Sequence, residues 1–157
     1  MIMTAPVSAT NIFLAKLIVV GVLMFFVQLF FLALYIIGGK LAGIASDLPA
    51  ELAGWVFRGW MAALTIGTMQ LALSMRIRSF AAPIGIGLCA VFIGLGMYVT
   101  HLELFFPHSL LTTGMGVLSQ TSLSTGESVL FAIMNLLYIV VISTVTIHRM
   151  RKSDIVA

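Results

Sequence analysis

The chain predicts an all-α integral membrane fold with four transmembrane helices and both termini cytoplasmic, and three observations carry that expectation. Of its 157 residues 61% are hydrophobic and 8% charged, too little polar surface to cover a soluble core of that size. The apolar residues fall into four blocks, each close to the roughly 20 residues that a helix needs to cross a hydrocarbon core. The basic residues collect beside the ends of those blocks, where they orient helices in a bilayer. Residues 1–157 read as a single transmembrane domain.

Residues 1–16, MIMTAPVSATNIFLAK, mix small, polar and apolar types. Pro6 disfavours helix before it and Thr10 or Asn11 offers a cap, so the segment reads as an interfacial lead-in. Residues 17–37 hold no charge and give the first span, about 31 Å of helix against a core of about 30 Å. Residues 38–54 carry Lys40, Asp47, Glu51, Pro49 and several glycines, the composition of a loop with one short interfacial helix. The second span is 56–75. Arg58 near its start is placed to snorkel, with Trp55 and Trp60 at headgroup depth.

After the basic hinge MRIRSFAAP, residues 81–99 form the third span. Residues 100–127 are the longest polar stretch, with a partial helix or re-entrant turn expected around Phe105 to Leu111. Residues 128–147 are the fourth span, and 148–157, opening on His148, Arg149, Arg151 and Lys152, form a basic tail. Four spans put Lys16, Arg76, Arg78, Arg149, Arg151 and Lys152 on one side and Lys40 and Arg58 on the other. By the positive-inside rule the first side is cytoplasmic. Residues 1–10 lack a basic signal-peptide region, so the first helix is expected to remain as an anchor.

Several classes are disfavoured. The net charge of +3 sits beside apolar segments, which fits orientation in a membrane better than nucleic-acid binding. A single cysteine, Cys89, excludes an internal disulfide and a cysteine metal cluster. Gly38, Gly39 and Lys40 resemble the end of a phosphate-binding loop, yet Leu34 and Leu41 stand where glycine and Ser or Thr are required. His101, Glu103 and His108 form only a weak metal-ligand or hydrolytic pattern, and no metal site is expected. No acid or base lies near the middle of a span, so energy for any transport must come from another chain.

Polar and small residues inside the spans mark contacts. Gly21, Gln28 and Tyr35 recur every seven residues along the first helix and are expected to face protein or water. Gly67, Gln70 and Ser74 make a stripe in the second helix, with Thr65 and Thr68 beside it. The third presents Gly87, Ala90 and Gly94 on one face and Ala81, Gly85 and Cys89 on another, and the fourth presents Ser128, Ala132 and Asn135. Helix packing is the first reading for all of them, with Gln28, Gln70 and Asn135 the nearest candidates for a transport pathway.

The stretch QLALSMRIRSFAAPIGIGLCAVFIGL resembles the helix, basic hinge and glycine-rich helix of ABC-2 type permeases, especially the lantibiotic-immunity and bacitracin-resistance branch. TAPVSATNIFLAK at 4–16 is similar to that family's cytoplasmic lead-in, with Ala9 where an arginine is usual, and FFPHSLLTTGM at 105–115 is similar to its outer aromatic-Pro-x-S-L segment. The resemblance implies a bacterial cytoplasmic-membrane subunit that binds no cofactor itself, paired with a second permease as a homo- or heterodimer. A separate ATPase subunit would use ATP and Mg. It implies six helices, of which the first two have no counterpart here, so a truncated or half permease is expected. It also implies an exporter of an amphipathic peptide or hydrophobic compound, with an accessory or regulatory membrane protein as the alternative. Pro6, Val7, Ser8, Phe13 and Lys16, then Arg76 and Arg78, become candidates for coupling to the ATPase, the two arginines being equally suited to contacting membrane lipid.

Overall fold

The computed structural model describes residues 8–43, 49–118 and 123–154, and all regular structure among them is helical. The helices are α1 Ala9–Leu41, α2 Leu52–Arg76, α3 Ala81–Val99, α4 Pro107–Gly114 and α5 Thr125–Asp154, with a 3-10 turn, Glu103–Phe105, leading into α4.

Local chemistry sets most of the ends. Ser8 caps α1 by accepting a hydrogen bond from the Asn11 amide at 3.3 Å, and Ser124 with Glu127 forms a reciprocal capping box on α5. Three helices stop on a left-handed residue, Gly43, His101 and Gly116. At His101 the following Leu102 amide reaches back to the Met97 carbonyl while the His101 amide binds Tyr98, the paired bonds that close a helix C-terminus. His101, considered above as a metal ligand, thus has a backbone role at the end of α3.

The lead-in and first span are one element. No Pro or Gly interrupts residues 9–20, so helix starts at Ala9, next to the caps expected at Thr10 or Asn11, and runs through the lead-in and the span to Leu41. Three described helices, Ala9–Leu41, Ala81–Val99 and Thr125–Lys152, are long and apolar enough to cross a membrane. The 25 residues of α2 give about 37 Å of helix, also long enough, but Arg58, Gln70, Thr65 and Thr68 reduce its hydrophobicity.

That polarity has a structural cause. α2 packs against α1, α3, α4 and α5, so its neighbours are protein. Its buried positions are small, Gly59, Ala62, Thr65, Gly67 and Thr68, which lets the other backbones approach. Ala62, Leu110 and Phe131 form the core, with Leu104, Met134 and Tyr138 packed around it. Outward faces are apolar: Phe26, Phe30, Leu88, Phe92 and Val140 are all exposed, the surface expected next to lipid.

Successive long helices alternate in direction. The Arg151 guanidinium donates to Thr10 Oγ1 at 2.9 Å, joining the start of α1 to the end of α5. α4 doubles back at the opposite end, where a Cβ on Gly94 of α3 would meet the Ser109 amide at 3.1 Å. Two side chains of α2 reach across to other helices. Arg58 Nε donates to the Gly114 carbonyl at the end of α4 at 3.3 Å, and its guanidinium pairs with Glu51 at 3.6 Å. Trp60, expected at headgroup depth, points inward, its Nε1 donating to the Gly21 carbonyl of α1 at 3.0 Å. Each satisfies a backbone acceptor of another helix. Along the first-helix stripe Gly21 is buried, Gln28 half-buried and Tyr35 exposed.

Candidate functional site at the basic end of the bundle

The end that gathers the start of α1, the hinge and the end of α5 carries the coupling candidates. Pro6 and Val7 lie outside the described residues. Ser8 is exposed and serves as the α1 cap, and Lys16 is exposed two turns on. Phe13 differs from both: it is fully buried. Arg76 ends α2 and Arg78 lies in the hinge, both exposed.

Two grooves flank the last turns of α2 and put these arginines at different mouths. One, about 580 Å³, runs between α2 and α5 and is lined by Met69, Ala72, Leu73, Val145, Arg76 and Arg149 among others. The second, about 620 Å³, lies between α1, α2 and α3, with Val20, Gln70, Ser74, Arg78, Phe80 and Pro83 in its wall. Arg76 and Arg149 therefore share one groove, and Arg78 sits with Gln70 in the other.

The interior candidates resolve into contacts. Gln70 lies against Gly87, its amide occupying the space where a Cβ would stand. Gln28 packs onto Gly59, with its Nε2 4.0 Å from Met115 Sδ. Gly94 receives the backbone of α4. Asn135 is fully buried: the Thr65 hydroxyl lies 2.6 Å from its Oδ1 and donates to it, while its Nδ2 donates to the Phe131 carbonyl at 2.8 Å. Gln28 and Gln70 remain half-buried, Gln70 on a groove wall, whereas the amide of Asn135 is spent on helix contacts.

Of the two small-residue faces of α3, Gly87, Ala90 and Gly94 are buried in the bundle, and Ala81, Gly85 and Cys89 are exposed. Sequence reasoning missed Arg58 as the residue that closes α4 and Tyr138 as the donor to the Phe105 carbonyl at 2.7 Å. An arginine set within an apolar helix was the available signal, since such a charge requires acceptors. Nothing local marks Tyr138.

His108 is buried in α4, and burial holds its imidazole pKa below the ordinary value. Its neighbour Ser109 donates to the Glu103 carbonyl at 2.6 Å. These groups build the α4 seat. Among the described residues no three His, Cys, Asp or Glu side chains come together as a metal site.

Such an arrangement defines a polytopic α-helical membrane protein, many of its polar side chains used in helix contacts and most of its cations gathered at one end. Residues 1–96, covering α1, α2, the hinge and most of α3, match the family model of the ABC-2 family transporter protein. That is more than half of the 157 residues, and the chain belongs to this family, as a membrane permease component of an ABC transporter, itself a transport part and not a catalyst. Comparison with curated proteins and with solved structures gives no match.

Proposed function

We propose that this chain is the membrane-spanning subunit of an ATP-binding-cassette exporter in a bacterial cytoplasmic membrane, expelling an amphipathic peptide or another hydrophobic compound. A separate ATPase subunit, using ATP and Mg, supplies the power. The observation that carries the reading is the family match through the hinge, which covers the same stretch that the exposed cations Lys16, Arg76 and Arg78 occupy. An exposed cationic end suits an acidic docking surface on a soluble partner.

On this reading α2 is a fourth span with the basic end cytoplasmic, and Ser8, Lys16, Arg76 and Arg78, with Pro6 and Val7 just before them, meet the ATPase. The uncovered face of α3 at Ala81, Gly85 and Cys89 suits close approach of a second permease as a homo- or heterodimer. Transport would then be rigid-body alternation of helices about glycine-lined contacts. The branch that handles lantibiotics and bacitracin is the proposed relative because of the hinge and the FFPHSLLTTGM segment.

The test is purification of the tagged chain from its native membranes. A phosphate-binding-loop ATPase should accompany it in stoichiometric yield, and Lys16→Glu with Arg78→Glu should cut that yield at least tenfold while Lys40→Glu at the other end leaves it intact. Recovery of the chain with no ATPase, or equal yield from all variants, would overturn the assignment.

A further inference from the structure

The groove between α2 and α5 separates its chemistry along its length. Its walls are Met69, Ala72, Leu73, Val145 and neighbours of the same kind, while Arg76 and Arg149 stand at one mouth. The polar wall residue Thr146 donates its hydroxyl to the Ile142 carbonyl of its own helix at 2.7 Å, so the wall asks nothing polar of an occupant. From Met69 to Arg76 the groove follows about 10 Å of helix. Its volume of about 580 Å³ falls within the range of about 300–1,000 Å³ typical of small-molecule sites. The groove beside it is different: Gln70, Ser74 and Ser79 interrupt its wall along with Arg78.

An apolar channel ending in two guanidiniums is complementary to one kind of molecule, a hydrocarbon chain with an anionic head. We propose that this groove is a binding site for an anionic phospholipid of the surrounding bilayer, its phosphate held between Arg76 and Arg149 and one acyl chain laid along Ala72 and Val145. Guanidinium groups match phosphate oxygens in bidentate geometry, and basic pockets between helices at a membrane surface select anionic headgroups. The methionines in the wall adapt to a flexible chain. The site uses Arg76 for lipid whether or not the same residue also meets an ATPase.

The experiment measures retained lipid on the purified chain without any ATPase, so its failure leaves the coupling proposal standing. The protein is reconstituted in nanodiscs of phosphatidylcholine with one fifth phosphatidylglycerol, released into detergent, and its lipid adducts are counted by native mass spectrometry. Phosphatidylglycerol should be retained over phosphatidylcholine by at least tenfold. Arg76→Gln and Arg149→Gln should each lower that preference about fivefold, and Ala72→Phe, which fills the groove and spares both arginines, should abolish retention. Arg78→Gln, at the same end but in the other groove, should leave it unchanged, and free inorganic phosphate should not displace the lipid. Circular dichroism and elution volume verify that each variant is folded; if one is not, Val145→Phe takes the place of Ala72→Phe and Arg→Lys the place of Arg→Gln. Equal loss in Arg78→Gln would make the effect diffuse surface charge and overturn the site. So would retention of lipid with the groove filled, displacement by phosphate, or a second copy of the chain lost on filling the groove.

Discussion

At the scale of single residues, the bundle is held by a few polar contacts that are costly to leave half made. Thr65 and Asn135 form the most enclosed pair, both fully buried, linked at 2.6 Å across α2 and α5. Replacing Thr65 by Val removes the donor and leaves the Asn135 carbonyl oxygen unpaired in an apolar interior, at a cost of about 1–2 kcal/mol. Asn135→Leu alone strands the Phe131 carbonyl less severely, because that carbonyl is also an acceptor in the helix ladder. The double variant should recover part of the loss, giving a coupling of about 0.6–1.7 kcal/mol in a double-mutant cycle of detergent unfolding. Strict additivity would mean that the pair contributes nothing specific. Asn135 was legible in the sequence as an amide inside an apolar helix that had to find a partner. Its partner was not, because Thr65 lies 70 positions away and several hydroxyls in α2 were equally eligible. The same limit hid the Gly114 carbonyl from Arg58 and the Gly21 carbonyl from Trp60: the need for an acceptor is local, and its identity belongs to the packing.

At the scale of elements, α4 is the part whose position is most finely set. Pro107 opens the helix and the turn before it was readable from the FFPHS run, but not that Gly94 would admit it. A Cβ on Gly94 would meet backbone atoms of His108 and Ser109 at 3.1–3.2 Å, and backbone cannot give way as a side chain does. Gly94→Ala should therefore destabilise by up to about 2 kcal/mol, the strain of overpacking, about 1–3 kcal/mol, less the roughly 1 kcal/mol that alanine gains in a helix. Gly87→Ala meets only the movable Gln70 amide and should be close to neutral, and Gly96→Ala, with nothing within 4 Å of its Cβ, should stabilise by up to about 1 kcal/mol. Thermal unfolding of the three variants checks the order; a Gly94→Ala protein as stable as Gly96→Ala would refute the seat. Acid should loosen the same element. Burial lowers the His108 pKa beneath 6.5, so as pH falls the unfolded chain takes up this proton before the folded one does. The neutral ring's contribution is complete above pH 6.5 and is lost as pH falls from there through the lowered folded value. His108→Gln should flatten the slope of melting temperature between pH 7 and 5, and an unchanged slope would assign it to other groups.

At the scale of the whole molecule, the proposed fourth span raises the question of how α2 would cross a bilayer when it alone among the long helices lacks the hydropathy of its neighbours. The blocks for α1, α3 and α5 were plain in the sequence because their outward faces must be apolar nearly all round. α2 was harder because its residues answer to four other helices, and Gly, Thr and Gln serve that purpose better than Leu. Packing offers an answer: α2 lies against α1, α3, α4 and α5 and turns Thr65 and Thr68 into the protein, so on the proposed topology its insertion would follow from assembly with the others. The Arg151–Thr10 bond and the groove shared by Arg76 and Arg149 place these basic positions at one end, the end that the proposed topology assigns to the cytoplasm by the positive-inside rule. Single cysteines in a Cys89→Ala background test both steps. A cysteine at exposed Ser79 in the hinge should resist a membrane-impermeant maleimide added to intact cells, and one at exposed Val117 beyond α4 should react. Reaction at Ser79 with protection at Val117 would invert the molecule and refute the charge argument while keeping the bundle. Reaction at both positions would place the two ends of α2 on one side and refute the proposed fourth span, and with it any need for α2 to carry Gln70 and Thr65 across the membrane.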